Sequence, residues 1–336
     1  MIFFSLVASL AALSFVAAVD SPSSIASAYQ LAAKTSLPFP NKAMSPSDSV
    51  NWIQQNNRWS LQNGHLQQTH GLSFVFDPYP APGTPVNTTT PVLLVQYPRG
   101  SYSHQTGGAQ FYSTWNSSYQ SVLLTYEVAF SQNFVWVKGG KLPGLRGGSD
   151  HSGCSGGARP NGSDCFSTRL MWRTSGNAET YAYVAGPNNL CAQKDIRCDP
   201  EFGISMHRGA FAFESGKWSR VAMLVRLNDP PSVANGQVNV YFDDILRIEQ
   251  GGLQLRTSDK INSVGGLFFS TFFGGNDNSW ATPIDQATFF RNFEMYGSVA
   301  PSDATTPTNA ASNAAHPGQF TILLGLLATI MVSLFL

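Results

Sequence analysis

From residue 72 onward the chain alternates short runs of β-branched and aromatic residues with clusters of Gly, Pro, Asn and Asp. The runs are LSFVFD, VLLVQYP, SVLLTYEVAF, VAMLVRL, QVNVYFDD, GGLFFSTFF and QATFFRNFEMYG. Runs punctuated in this way predict strands joined by turns, and no helical pattern alternates with them, so an all-β antiparallel sandwich is expected. Residues 19–70 have another texture, irregular or helical. In SPSDSVNWIQQNNRW, Ser45 is placed to cap a short helix that Pro46 begins. No internal repeat, GxGxxG motif or P-loop interrupts this pattern.

The pattern acquires chemistry at FSTRLMWRTSGNAETYAYV, residues 166–184. A strand over 166–173 sets Ser167, Arg169, Met171 and Arg173 on one face, and Phe166, Thr168, Leu170 and Trp172 on a second face that reads as core. A hairpin centred on Gly176 predicts Arg169 opposite Tyr183 and Met171 opposite Tyr181, which gathers cations, a hydroxyl and two phenols. The plain alternative is an exposed sheet face with Tyr and Arg as ordinary cross-strand partners. Upstream, FVWVKGGKLPGLRGG (134–148) predicts a strand with Phe134, Trp136 and Lys138 in alternation. That strand should break into a glycine-rich loop that aims Lys141, or serves only as a connector.

The segments KGGKLPGL, STRLMWR and YAYV together resemble polysaccharide lyase family 14, the alginate and polyglucuronate lyases, and the similar family 20 glucuronan lyases. YPRGSYS (97–103) and STFFGGNDNSW (270–280) also look like family segments, so the resemblance covers roughly residues 90–295. It implies a β-jelly roll whose cleft is lined by Lys141, Ser167, Arg169, Tyr181 and Tyr183. Arg99, Tyr102, Lys138, Arg173 and Trp280 are candidate substrate-binding residues beside them.

The implied reaction is β-elimination from a 4-linked uronic acid polysaccharide of the glucuronan or alginate type. The proton on C5 leaves, the sugar oxygen on C4 is expelled, and a 4,5-unsaturated end remains. Carbanion character develops beside a carboxylate, so cations must stabilise an enolate, a task for Arg169 and Lys141. Tyr181 and Tyr183 supply a base at C5 and an acid at O4, with the division between them open. Ser167 is expected to orient substrate, since no suitably spaced histidine supports a serine nucleophile. Hydrolysis would need two carboxylates, and Glu179 is the only acid within the hairpin. The main alternative from another class is a non-catalytic, lectin-like carbohydrate-binding protein; a structural wall protein is a third reading.

Charge narrows the partners. Lys plus Arg equals Asp plus Glu at 20 each, which gives no basic field for nucleic acid. An acidic polysaccharide must then be recognised locally, by a chain expected to act as a monomer. No cofactor is required for the implied reaction. Asp243 and Asp244 in YFDDIL offer oxygen ligands to a structural calcium, or end a strand turn, the preferred reading.

The ends speak to location. Residues 1–18 form an apolar run closing on small residues, as in a secretory signal. Residues 19–300 hold the lyase-like domain and 301–319 a Ser, Thr, Ala and Pro-rich linker. Small residues around Asn309, a polar spacer and an apolar tail over 320–336 follow the order of a GPI-anchor signal, with a single membrane span as the alternative. A secreted, cell-surface protein is therefore expected. Four cysteines suit an oxidising compartment, and sequence neighbours are the preferred pairs: Cys154 with Cys165, and Cys191 with Cys198. Asn87, Asn116 and Asn161 each begin an N-glycosylation sequon.

Overall fold

The computed structural model describes residues 20–301 except 68, 82, 83, 85, 86, 88, 104, 105, 116, 117, 151, 152 and 188. The secretory signal, Asn116, Asn309 and the apolar tail lie outside the described residues. Among those described, sixteen strands run in chain order: β1 (Ala33–Ser36), β2 (Leu61–Gln67), β3 (Leu72–Val75), β4 (Val92–Tyr97), β5 (Ala109–Thr114), β6 (Ser121–Phe130), β7 (Gly140–Gly147), β8 (Phe166–Trp172), β9 (Ala178–Tyr183), β10 (Ile196–Arg197), β11 (Ile204–Met206), β12 (Trp218–Arg226), β13 (Gly236–Phe242), β14 (Ile245–Leu253), β15 (Gly266–Phe273) and β16 (Gln286–Ser298). All seven apolar runs lie on strands. They build two antiparallel sheets, one ordered β14-β13-β12-β6-β16-β4-β3 with β1 also on β16, the other β10-β11-β9-β8-β7-β15-β5-β2. This is the expected β-jelly-roll sandwich.

The main core lies between the sheets. On β6, Val122, Leu124, Tyr126, Val128 and Phe130 point into it, while Leu123 points outward against Ile25, Ala26 and Tyr29 of the N-terminal segment. That segment includes helix α1 (Pro22–Ala28). Both faces of β6 are thus covered, which is why its sequence is nearly continuously apolar. Helix α2 (Pro46–Gln54) begins as expected: Ser45 Oγ accepts from the Asp48 N–H at 3.2 Å, with Pro46 in the first turn. Ser49 Oγ also accepts from the Phe74 N–H at 2.9 Å, which ties α2 to β3.

In the second sheet, Phe166, Leu170 and Trp172 face the core as predicted, together with Ala178 and Ala182 of β9. Met171, Tyr181 and Tyr183 form a separate cluster with Cys154 and Cys165 on the outer face. That face is not exposed; every residue of β8 and β9 is buried. The hairpin register differs from the expectation by two residues: Arg169 pairs with Tyr181, Ser167 with Tyr183 and Met171 with Glu179. The cause is the connection, residues 173–177, where Ser175 as well as Gly176 takes a left-handed conformation (φ 60° and 76°). The turn is centred one residue early. A slip of two preserves the faces, so the same side chains still meet.

The KLPGL segment is corrected more substantially, because it is strand β7 rather than a loop, and the strand expected over 134–138 is absent. Pro143 is tolerated inside a sheet because β7 carries one extra residue against β8 between Leu142 and Leu145, a β-bulge in which a ladder N–H is not needed. The Pro143 carbonyl turns toward the core and accepts from Tyr126 Oη at 3.1 Å. The bulge has a consequence for the site. Residues 141 and 146 are five apart and would face opposite sides of a regular strand, yet Lys141 pairs with Met171 and Arg146 with Ser167, both outward.

Candidate active site

The outer faces of β7, β8 and β9 form the floor of a cleft of about 490 Å³. Lys141, Arg169, Met171, Arg173, Tyr181 and Tyr183 line it from below. Ser155, Gly156, Phe202, Gly203, Gly275 and Trp280 complete the lining. Of the sequence-derived candidates, Lys141, Arg169, Tyr181, Tyr183, Arg173 and Trp280 meet here.

Arg169 is 1% exposed. Its Nη1 donates to Ser270 Oγ at 3.0 Å, and the guanidinium lies 4.2 Å from the Phe268 ring centre. Among the described residues it has no carboxylate within ion-pair distance, and its buried Nε has no partner. Burial disfavours its charge and lowers its pKa from the usual value, partly offset by Tyr183, Tyr112 and Tyr181. A guanidinium remains protonated even so. Room for Arg169 is made by Gly144 in the bulge, where a Cβ would lie 2.0 Å from the Thr168 carbonyl oxygen and 2.6 Å from Arg169 Cα.

Lys141 Nζ sits 3.3 Å from the Tyr181 ring centre and 2.8 Å from Met171 Sδ. Burial, then the charges of Arg169 and Arg173, push its pKa well below the ordinary lysine value, against a smaller upward pull from Glu179. Tyr181 moves the other way, its pKa raised chiefly by burial and by Tyr183 beside it. The Tyr181 hydroxyl accepts from the Gly203 N–H at 2.9 Å, and that of Tyr183 from the Gly157 N–H at 3.1 Å.

Glu179 is fully enclosed, on the same face of β9 as Tyr181 and Tyr183. Arg173 Nε donates to its Oε1 at 2.9 Å; Arg208 Nε and Ser205 Oγ both donate to Oε2 at 2.6 Å. Burial alone would raise its pKa, but Arg173, Ser205 and Arg208 prevail and hold it below the usual carboxylate value. A carboxylate with both oxygens occupied this way is a poor proton carrier, which removes the two-carboxylate hydrolase reading.

Other candidates fall elsewhere. Ser167 lies behind the cleft wall and donates to the Cys154 carbonyl at 2.6 Å, so its hydroxyl is committed to the protein rather than to substrate. Arg99 is exposed outside the cleft, with its N–H on Asp285 Oδ1 at 2.7 Å, and Tyr102 packs partly buried against the core. Lys138 occupies a neighbouring depression of about 380 Å³ with Arg173, Arg197 and Arg208. The disulfides are Cys154–Cys165 and Cys191–Cys198, the neighbour pairing. Asp243 and Asp244 form the two-residue turn between β13 and β14, with φ of 47° and 65°. Arg220 occupies both of their side chains. Among the described residues no group of three or more His, Cys, Asp or Glu side chains converges on a metal-sized site. Arg208, Ser205, Arg197 and Phe202 were not singled out in the sequence; Arg197 and Ser205 sit on the two-residue β10 and three-residue β11, too short to show a period, and Phe202 and Arg208 flank β11 outside any strand.

The sequence pattern of Polysaccharide lyase 14 matches residues 85–293. The chain belongs to polysaccharide lyase family 14. As a family 14 lyase it is an enzyme, which sets aside the lectin-like and wall-protein alternatives. Its fold is similar to that of the PL-14 alginate lyase from Aplysia kurodai, with 29% identity, a TM-score of 0.64, and coverage of 79% of this chain and 100% of that one. It is also similar in fold to alginate lyase Aly36B (17% identity, TM-score 0.58, covering 78% of this chain and 96% of that one). An alginate lyase from Chlorella virus shares the fold as well (19% identity, TM-score 0.56, covering 79% and 100%). No curated protein matches the chain.

Proposed function

We propose that this family 14 lyase cleaves a 4-linked uronic acid polysaccharide of the alginate or glucuronan type by β-elimination. The observation that carries the reading is Arg169, a buried cation without an acidic partner among the described residues, on a cleft floor shared with Lys141 and two tyrosines. A buried charge left unpaired by the protein is costly, and a substrate carboxylate would complete it. In this reading Arg169 grips the uronate carboxylate and stabilises the enolate. Tyr181, whose raised pKa keeps its phenol protonated, donates to O4. Tyr183, acting as the phenolate, takes the C5 proton, with its oxygen held in place by the Gly157 N–H at 3.1 Å. Lys141 neutralises charge beside them. The Aplysia relative bears the name alginate lyase, which supports alginate as substrate.

The test is a secreted form lacking the tail, residues 19–309, assayed on alginate and glucuronan in the presence of chelator. New ultraviolet absorbance from unsaturated ends is expected. New reducing ends without that absorbance would mean hydrolysis and overturn the reading.

We further propose that the chain acts as a monomer, secreted and held at the cell surface by a GPI anchor near Asn309, with glycans on Asn87, Asn116 and Asn161. Support comes from the order of segments at both termini, from the two disulfides, and from the exposure of Asn87 and Asn161. Release of the protein from cells by a GPI-specific phospholipase tests the anchor; retention while a control anchor is released favours a membrane span.

A further inference from the structure

The two tyrosine hydroxyls that face the cleft are each held by a backbone N–H, one donor lying inside a disulfide loop and the other just past a second disulfide. Gly157, which serves Tyr183, lies within the loop closed by Cys154–Cys165; Gly203, which serves Tyr181, follows Cys198. These segments are fastened to one another. Arg159 Nη2, on the first, donates to the carbonyls of Asp199, at 2.7 Å, and Pro200 on the second. The first is also fastened from below, through Ser167 Oγ on the Cys154 carbonyl at 2.6 Å. Gly157 itself has φ of 94°, a conformation that L side chains rarely adopt.

We propose that Arg159 and Ser167 are positioning residues that hold the Gly157 N–H on the Tyr183 hydroxyl and so set the direction of that hydroxyl in the cleft. Neither touches the cleft itself. Arg159 is exposed and lies outside the lining, and Ser167 is sealed behind it. The physical consequence is specific. A tyrosine oxygen that accepts an N–H has one lone pair committed, so the direction of its remaining lone pair, the one that must meet the C5 proton, is fixed. The same N–H holds that oxygen in place while the proton arrives from C5, without reorganisation. Loosening the loop should therefore affect the proton-transfer step and leave carboxylate binding by Arg169 intact.

The inference rests on the proposed proton-transfer role of Tyr183, and the experiment separates the two. Arg159→Ala, Arg159→Lys and Ser167→Ala are compared with Tyr183→Phe in the secreted form, by kcat, KM and Tm on polyuronate. For Arg159→Ala and Ser167→Ala, kcat should fall about tenfold to a hundredfold with KM nearly unchanged. Arg159→Lys should recover part of the loss, because an ammonium can still reach a carbonyl. Tm of the Arg159 variants should match wild type, since the side chain is exposed, and these variants decide the matter even if Ser167→Ala folds poorly. Wild-type kcat in both Arg159 variants while Tyr183→Phe loses turnover would overturn the positioning role alone. A Tyr183→Phe variant with full turnover would instead overturn the proton-transfer reading on which it rests. A rise in KM with unchanged kcat would show that Arg159 serves binding.

Discussion

Lys141 Nζ stands 3.3 Å from the centre of the Tyr181 ring and 2.8 Å from Met171 Sδ. The amine is thereby shielded from water while two guanidiniums, those of Arg169 and Arg173, act on it from the same face. Its depressed pKa has a consequence for stability. Between the folded pKa and the ordinary lysine value the unfolded chain binds the extra proton, so this group makes stability rise with pH across that window and fall as pH drops through it. Lys141→Met keeps the length and removes the titration. Its Tm should rise less with pH than that of wild type, measured from about pH 6 to 10. Identical slopes would mean that the amine is not desolvated.

Glu179 joins Arg173, Arg208 and Ser205, which line the cleft, and its removal should cost stability more than chemistry. Glu179→Gln leaves two guanidiniums without their counter-charge. A loss of about 3–5 kcal/mol is expected in urea unfolding at neutral pH. In wild type the contribution is present above the ordinary carboxylate pKa and fades as pH falls through the depressed folded value, so the gap between wild type and variant should narrow in acid. A gap that widens in acid would contradict the direction of the shift.

Much of this site could be read from the alternation of residues 166–184, because a period of two fixes which side chains share a face, whatever the turn does. That is why Arg169, Tyr181 and Tyr183 meet although the register is slipped by two. The β-bulge in β7 was not legible, since Pro143 with Gly139, Gly140 and Gly144 around it reads locally as loop punctuation, and only the ladders to β8 and β15 show the segment to be a strand. The surroundings of Ser167 were legible only in part, for a related reason. Its face was right, but the partner that occupies its hydroxyl, the Cys154 carbonyl, comes from a loop whose path the sequence does not dictate.

Tyr181→Phe and Tyr183→Phe each delete one hydroxyl and retain the ring, so the perpendicular packing of the two rings, 5.8 Å apart, should survive. Each variant should lose about a hundredfold or more in kcat with little change in KM, the signature of an interaction made in the transition state. The two should also differ. With Tyr183 as base, Tyr183→Phe should slow cleavage of the C5–H bond and enlarge the isotope effect on kcat from deuterium at C5, whereas Tyr181→Phe should not. The opposite pattern would exchange their roles.

Arg169→Met separates function from stability at one position. The guanidinium is enclosed against Phe268, holds one hydrogen bond to Ser270 and leaves Nε unpaired, so the folded protein carries its desolvation without a counter-charge. Methionine has similar length and packs well on an aromatic edge. Exchanging a buried unpaired charge for an apolar side chain of like shape is neutral or stabilising in general, so Tm should hold or rise. Turnover should fall by about a hundredfold or more, because the developing enolate loses its principal cation, and KM should rise as the carboxylate loses its grip. A marked fall in Tm would mean that Arg169 is a structural residue whose charge is compensated within the fold, and the case for a substrate carboxylate at this position would lose its main support.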